Sequence, residues 1–160
     1  EELNPWLPNR SRRLGIITNT VVVHATAGSL ISGAVAALRS RGLSYHYIVG
    51  QDGSILKCVP VKREAFHAGV SVGPQGPSVN RYSIGIALVN LNNGKDPYEA
   101  EQLAALEWLL PKLRTSMDEY RFLTTHAAIS YPRKTDPYKL DLRGVAARVG
   151  LTFWQGKQPW

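Results

Sequence analysis

Runs of apolar residues along the N-terminal half predict a buried strand followed by a helix. Thr20 to His24 is a β-branched run with three consecutive valines, which favours a strand buried on both faces at the centre of a sheet. Further along, Ile31, Val35 and Leu38 recur at helical spacing. This pattern predicts a helix that covers the sheet and ends near Gly42.

The middle of the chain predicts a hairpin, a long loop and a second buried strand. Tyr45 to Val49 and Ser54 to Val59 are strand-like runs separated by residues 50–53, whose Asp-Gly pair is a strong hairpin signal. Residues 66–80 are rich in glycine and proline, and such a long loop in a compact domain usually lines a site. Ser83 to Asn90 then predicts another buried strand.

The next segment predicts a helix that contains a proline. Asp96 and Pro97 are typical of an N-cap and a first helical residue. The helical spacing downstream is carried by Leu103, Leu106, Leu110 and Leu113. Because Pro111 lies inside this pattern, we expect it to kink the helix or to end it early.

The C-terminal third completes an α/β pattern. Phe122 to Thr125 predicts a short strand that ends at His126, residues 132–137 form a proline-bounded loop, and Asp141 caps a last short helix to about Val149. The order β-α-β-β-β-α-β-α with one hairpin predicts an α/β fold with a mixed central β-sheet flanked by helices. The 160 residues correspond to about one domain of ~150 residues.

The first fifteen residues differ from the remainder. They lack a periodic apolar pattern and contain Arg10, Arg12 and Arg13, so we expect a basic extended arm at 1–15 before a domain at 16–160. Nowhere does the chain approach the ~18 uninterrupted apolar residues of a membrane span. The first residue is Glu and no signal-peptide pattern precedes the fold, which predicts a trimmed mature form or a chain delivered without its own signal.

The charge balance predicts an anionic partner. Nineteen Lys and Arg residues against twelve Asp and Glu residues give a formal net charge of +7. Nucleic acid, an acidic membrane surface and an anionic cell-wall polymer all satisfy this condition. The basic residues are dispersed and form no basic stripe along a helix, which argues against nucleic acid. The single Cys58 excludes an intramolecular disulfide and a cysteine-based structural zinc site.

Two of the four histidines occur in the same context and suggest a metal site. His24 and His126 each directly follow a strand-like run, and Asp136 lies ten residues after His126 across a proline-rich loop. Two imidazoles and one carboxylate suit zinc and leave a fourth position for water, whose pKa falls to about 7. Alternatively, each histidine is an ordinary core or surface residue, and the spacing alone does not separate the two interpretations.

Five motifs, in the same order along roughly residues 17–149, resemble the type 2 N-acetylmuramoyl-L-alanine amidases. They are VVHATA at 22–27, SYHYI at 44–48, FHAG at 66–69, NRYSIGI at 80–86 and RKTDP at 133–137. This zinc family includes phage endolysins, bacterial autolysins, muropeptide-recycling amidases and peptidoglycan recognition proteins. The resemblance implies a mixed sheet with helices packed on it and one zinc ion per chain in an open groove.

The resemblance also assigns roles to individual residues. It implies that His24, His126 and Asp136 are the zinc ligands and that Lys134 is the active-site cation. Tyr45 stands where the endolysin-like members carry an active-site tyrosine.

Other positions show how this chain departs from its relatives. Ala87 replaces a catalytic glutamate of the recycling type, and Phe66 replaces the usual tryptophan before His67. His67 and Asn80 are expected to contact substrate. Alternation along the strand would place Tyr45 and Tyr47 on one face and His46 on the other, as a structural histidine.

The function implied by the resemblance is zinc-dependent hydrolysis of the amide between N-acetylmuramic acid and L-alanine in peptidoglycan. We expect an endolysin-like, bacteriolytic and antimicrobial enzyme that acts as a monomer at the bacterial cell wall. Arg10, Arg12 and Arg13 are either simply solvated or hold anionic envelope polymers. The alternatives are a non-catalytic peptidoglycan-binding module, a muropeptide-recycling amidase and an autolysin.

Overall fold

The structure, a computed structural model, describes residues 7–160 and has an α/β fold. In this range the strands are Asn9–Ser11 (β1), Thr20–Ala25 (β2), Tyr47–Val49 (β3), Ile55–Lys57 (β4), Arg63–Ala65 (β5), Val72–Gly73 (β6), Gly76–Pro77 (β7), Ser83–Leu88 (β8), Phe122–Thr125 (β9) and Thr152–Phe153 (β10). The α-helices of the same range are Ile31–Arg41 (α1), Ala100–Lys112 (α2), His126–Ser130 (α3) and Arg143–Val149 (α4). Two short 3₁₀ helices in the same range lie at Val79–Tyr82, before β8, and at Leu113–Thr115, after α2.

The central sheet is mixed, as the sequence predicts. Within residues 7–160 its strand order is β10-β9-β2-β8-β3-β4, and every neighbouring pair is parallel except the β3–β4 hairpin. The predicted valine strand β2 lies inside the sheet between β9 and β8, and Val21, Val22 and Val23 are fully buried. Because these strands run parallel, their carboxyl ends share one edge of the sheet.

Helices cover both faces of this sheet. On one face, α2 and α4 pack their apolar side chains, including Leu106, Leu110 and Val145, against Val21 and Val23. On the other face, the buried α1 residues Ala34 and Leu38 belong to a cluster with Ile48 and Ala87. α1 ends where predicted, with Gly42 in the left-handed conformation that suits a helix C-cap (φ 67°).

The second long helix differs from its predicted start. α2 begins at Ala100, and the Asp96 carboxylate instead accepts a hydrogen bond from the backbone N–H of Leu91 at 2.8 Å. The turn before the helix therefore uses the side chain that was expected to cap it. Pro111 lies inside the last turn of α2, and the chain continues past Lys112 as the 3₁₀ helix Leu113–Thr115, so the proline does not cut the helical path short.

The described part of the predicted extended arm packs on the domain. Residues 1–6 of that arm lie outside the described residues, but β1 pairs antiparallel with β5, and Leu7 is buried in the core. The Arg12 guanidinium donates to backbone carbonyls, among them those of Val61 (3.1 Å) and Ser83 (2.9 Å). The segment is extended, as predicted, but pairing, burial and these hydrogen bonds attach residues 7–12 to the domain.

The C-terminal tail also packs on the domain. β10 extends the sheet beside β9, and the Trp160 ring lies edge-on to Tyr131 (5.9 Å between centroids) and Tyr138 (5.3 Å). The tail therefore supports the 131–138 loop that carries Lys134 and Asp136. Across residues 7–160, none of the helices has the length and apolar content needed to cross a bilayer.

Candidate metal centre

The three predicted ligands converge at the carboxyl edge of the sheet. His24 lies near the end of β2, and His126 follows directly on β9, its parallel neighbour. Their Nδ1 atoms are 3.0 Å apart. Asp136 places Oδ1 3.1 Å from His126 Nδ1 and Oδ2 3.5 Å from His24 Nδ1. All three side chains are buried, so the structure brings together the residues that the sequence singled out.

Hydrogen bonds on the far side of each ligand orient it. His126 Nε2 lies 3.0 Å from the carbonyl oxygen of Ala68, and because a carbonyl only accepts, the proton of a neutral His126 lies on Nε2. Its Nδ1 lone pair therefore faces the site. The backbone N–H of Ala25 donates to Asp136 Oδ2 (3.2 Å), and the Ala127 N–H donates to the Asp136 carbonyl (2.9 Å).

Electrostatics favour a neutral His24 imidazole beside an ionised Asp136 carboxylate. Burial, followed by repulsion from the nearby His126, lowers the pKa of His24 to about 4. Burial alone would raise the pKa of Asp136, but hydrogen bonds and attraction from His126 and His24 outweigh burial and hold it well below its ordinary value. Metal ligands must be deprotonated, so this is the protonation state that binds a metal ion.

The donor set fits a divalent cation. The His24 and His126 Nδ1 atoms lie 3.0 Å apart, and the ligand atoms of the three residues all lie within 4.8 Å of one another. When both nitrogens present lone pairs, a cation between them removes their mutual repulsion. Two imidazole nitrogens and one carboxylate are ligands that zinc accepts, and three protein ligands leave one tetrahedral position open.

The centre opens into a groove of about 380 Å³ with a basic rim. Among the described residues that line it, Arg41, Arg133 and Lys134 are the cations and Asp136 is the acid. Sequence analysis found Lys134 but missed Arg41, which ends α1, and Asn92, which follows β8. Nothing in their local sequence indicates a place at the site, because only the folded chain brings the end of α1 and the segment around Asn92 to the groove.

Tyr45 lies beside the metal ligands, although the predicted strand alternation is wrong. Its ring centroid is 4.9 Å from that of His24, whereas Tyr47 belongs to the core cluster under α2. Alternation fails because β3 begins only at Tyr47, so Tyr45 and His46 lie before the regular strand. Burial, followed by the negative charge of Asp136, raises the pKa of the Tyr45 phenol above its ordinary value.

Lys134 and Ala87 occupy the positions that the resemblance implied. Lys134 is exposed at the groove rim, two residues before Asp136. Ala87 pairs in register with His24 on the neighbouring strand and is fully buried in an apolar cluster with Ile48. Aligned residues on parallel strands face the same side, so Ala87 places a methyl group, and no carboxylate, beside His24.

His46 is a buried structural histidine, as predicted. It is fully buried, its Nε2 donates to the Arg63 carbonyl (2.8 Å), and its Nδ1 accepts from the Gly85 N–H (3.0 Å). Burial lowers the pKa of His46 to about 3, so the ring is neutral. The structure thus excludes it from the ligand set on geometric grounds.

His67 and Asn80 were both predicted to contact substrate, but only His67 is among the described residues that border the groove. His67 borders the groove and is buried, with Nδ1 2.9 Å from His24 Nε2. The Asn80 carboxamide oxygen accepts from the backbone N–H groups of His67 (3.1 Å) and Ala68 (2.8 Å). Asn80 is not among the described residues that line the groove, and its side chain secures the 67–68 backbone in place of the expected substrate contact.

A buried centre of two histidines and one aspartate, at the carboxyl edge of an α/β sheet and open to a groove, has the outline of a catalytic metal site with three protein ligands. The sequence model of one family, N-acetylmuramoyl-L-alanine amidase, matches residues 15–139. The chain belongs to this family, and the matched range contains every candidate ligand.

Curated relatives support the same family. The chain is 30% identical over 156 residues to N-acetylmuramoyl-L-alanine amidase AmiD of Escherichia coli K12, covering 86% of this chain and 55% of AmiD. It is 34% identical over 96 residues to 1,6-anhydro-N-acetylmuramyl-L-alanine amidase AmpD of the same organism, covering 59% of this chain and 51% of AmpD. The chain therefore spans about half the length of these relatives.

Solved structures show the same fold. AmiD from E. coli, in complex with the substrate anhydro-N-acetylmuramic acid-L-Ala-D-γ-Glu-L-Lys, has a TM-score of 0.73 at 25% identity, covering 89% of this chain and 62% of that chain. The amidase LysC from Clostridium intestinale URNW has a TM-score of 0.69 at 19% identity, covering 95% and 99%. At that identity LysC shows the fold alone, and the endolysin-like branch stays a prediction.

Proposed function

We propose that this protein is a zinc-dependent N-acetylmuramoyl-L-alanine amidase that hydrolyses the amide between N-acetylmuramic acid and L-alanine of peptidoglycan. The observation that carries the proposal is the convergence of His24 Nδ1, His126 Nδ1 and the Asp136 carboxylate in an open groove. A module that only binds peptidoglycan has no need of three oriented ligands, so we favour an enzyme.

One zinc ion is held by His24, His126 and Asp136 in this proposal. When bound, zinc supplies Lewis acidity that polarises a carbonyl and activates water. The protein keeps the His24 imidazole neutral and keeps Asp136 ionised through its hydrogen bonds, and the Ala68 carbonyl leaves the Nδ1 lone pair of a neutral His126 directed inward. The ligands therefore need little rearrangement to bind the ion.

Lys134 and Tyr45 are the residues proposed to act on the substrate. The Lys134 ammonium, on the groove rim, stabilises negative charge that develops on the scissile carbonyl oxygen. The raised pKa of Tyr45 keeps its phenol protonated at neutral pH, which suits a hydroxyl that orients the nucleophile by a hydrogen bond. The same shift makes the phenol a weaker acid, so orientation is favoured over proton donation to the leaving amine. Ala87 supplies no carboxylate, so the acid–base chemistry relies on these groups.

The biological setting is part of the proposal. We infer that the protein acts as a monomer at the cell wall and lyses bacteria in the manner of an endolysin. Arg13 is exposed and suits attraction to anionic envelope polymers, whereas Arg10 is paired with Glu64 (2.6 Å) and Arg12 donates to backbone carbonyls. The similarity to AmpD, whose name specifies a 1,6-anhydro-muramyl substrate, favours muropeptide recycling as the second candidate.

The decisive experiment offers the purified protein both polymeric cell walls and a soluble anhydro-muropeptide. We expect about one zinc per chain, loss of wall turbidity, and release of peptides that begin with L-alanine, identified by mass spectrometry. Preference for the soluble substrate with intact walls would select the recycling function. Zinc binding without cleavage of either substrate would overturn the enzyme assignment in favour of a binding module.

Two matched aspartate variants complete that experiment. Asp136→Asn removes a ligand charge and is expected to abolish zinc retention and cleavage together. Asp141→Asn makes the same change at an exposed residue next to the fourth helix and is expected to keep both properties. Equal behaviour of the two variants would contradict the assigned metal site.

A further inference from the structure

His67 has both of its ring nitrogens engaged inside the protein. Nδ1 lies 2.9 Å from His24 Nε2, and Nε2 lies 3.1 Å from the Ser83 hydroxyl oxygen. The residue is 6% exposed, although it borders the groove. A substrate would have to compete with these two contacts to use the polar atoms of His67.

A metal ion on His24 determines the direction of both hydrogen bonds in the series His24–His67–Ser83. If His24 Nδ1 is a ligand, the proton of its neutral ring lies on Nε2 and is donated to His67 Nδ1. His67 Nδ1 must then be the unprotonated nitrogen of that ring. Its own proton lies on Nε2 and is donated to the Ser83 oxygen.

The surrounding backbone fixes the position of the His67 ring. The ring packs on Gly85 of β8, where a Cβ atom would lie 2.6 Å from His67 Cγ, so any larger residue would displace it. The His67 N–H is held by the Asn80 carboxamide, and the Ser83 carbonyl is held by Arg12. Because these contacts fix the His67 ring, it can in turn fix the orientation of the His24 ring.

We propose that His67 is a positioning residue of the metal centre rather than a substrate-binding residue. It accepts the His24 Nε2 proton, holds the His24 ring with Nδ1 toward Asp136, and makes that nitrogen a stronger metal ligand. Ser83 acts through His67 by fixing which of its nitrogens accepts. The proposal rests on the proposed metal-binding function of His24, His126 and Asp136.

The test measures zinc affinity by competition with a chelating dye, using zinc ion alone. His67→Leu replaces the imidazole by an apolar side chain of similar size and so removes both hydrogen bonds. We expect the zinc dissociation constant to rise by about 10- to 100-fold. His67→Asn can present an oxygen to His24 and is expected to recover part of the affinity. Ser83→Ala should weaken binding less, and should add nothing in the His67→Leu background.

Two further readouts separate positioning from a merely structural role and from substrate contact. The visible spectrum of the cobalt-substituted protein should shift in His67→Leu, because a rotated His24 changes the ligand field. At saturating zinc the KM should match wild type, whereas a lost substrate contact would raise it. Melting temperatures of the metal-free variants check folding, and Ser83→Ala and His67→Asn carry the test if His67→Leu does not fold.

The outcomes are distinct from those of the proposed function. Wild-type zinc affinity in His67→Leu, or a raised KM with unchanged affinity, would overturn the positioning role while leaving the amidase proposal intact. A wild-type protein that binds no zinc would overturn the proposed function and this inference with it.

Discussion

The Nδ1 atoms of His24 and His126 lie 3.0 Å apart although 102 residues separate them in the sequence. The pairing of β2 with β9 creates this proximity, and a cation bound by both nitrogens and by Asp136 would hold the two strand ends and the 131–138 loop together. We therefore expect zinc to stabilise the folded state. Zinc at about 100 times its dissociation constant should add about 2.7 kcal/mol to the free energy of unfolding.

Urea unfolding with zinc and with a chelator measures this effect. His126→Ala should unfold at the same urea concentration under both conditions, because it lacks a ligand. An identical midpoint for the wild-type protein with and without zinc would contradict the prediction.

Lys134→Ala tests the cation at the groove rim. Because the ammonium is expected to stabilise charge only as it develops on the substrate, kcat should fall on the order of 100-fold or more while zinc affinity stays unchanged. Lys112→Ala removes an equivalent charge from the helix α2 on the opposite face of the sheet and should leave kcat near wild type. Steady-state kinetics on the soluble muropeptide measure kcat for both variants. An equal loss in the two would contradict the prediction and attribute the effect to general electrostatics.

Tyr45→Phe tests the phenol that lies beside His24. The ring packing is retained, so the melting temperature and zinc content should match wild type, while the rate of cell-wall cleavage should drop by at least about 10-fold if the hydroxyl handles a proton. A turbidity assay measures the rate. Cleavage at the wild-type rate would make Tyr45 a packing residue.

The metal ligands were accessible from the sequence because each depends on local pattern and short-range geometry. His24 and His126 follow strands whose apolar runs are strong, and parallel strands bring their carboxyl ends to one edge. Asp136, ten residues after His126 across a proline-rich loop, was the third candidate, and the family resemblance assigned the ligand role to all three residues. The residues on which this prediction depends are the ones that the structure brings together.

The remaining site features depend on contacts that no local pattern records. Arg12 bonds to carbonyls 49 and 71 positions away, so a basic, aperiodic segment was read as a free arm. Tyr45 was placed by strand alternation, which does not apply before β3 begins. Asn80 belongs to a family motif, but its carboxamide is used by the backbone of the neighbouring loop.

Arg12→Ala tests whether the N-terminal segment is part of the fold. The guanidinium is charged and partly buried, and its loss leaves the carbonyls of Val61 and Ser83 without a donor, so we expect a loss of about 2–3 kcal/mol in the free energy of unfolding. Arg13→Ala changes an exposed neighbour and should stay within about 0.5 kcal/mol. Urea unfolding of both variants measures the difference, and equal stabilities would restore the picture of a free arm.

His46 predicts how the stability of the metal-free protein depends on pH. Its folded pKa is lowered by burial to about 3, whereas the unfolded value is 6.5. Above pH 6.5 the ring is neutral in both states and its contribution is complete. As the pH falls toward 3, the unfolded chain binds a proton that the folded ring does not. Stability should therefore fall by up to about 1.4 kcal/mol per pH unit for this residue.

His46→Gln isolates this contribution from that of the other buried histidines. Glutamine offers a donor and an acceptor to Arg63 and Gly85 but does not titrate, so the variant is expected to be less stable at pH 7.5 and to lose stability less steeply below pH 6. Urea unfolding between pH 4.5 and 7.5 gives both slopes, and their difference should correspond to nearly one proton. Parallel slopes would mean that His46 is protonated in the folded protein as readily as in the unfolded chain, which its two hydrogen bonds and complete burial oppose.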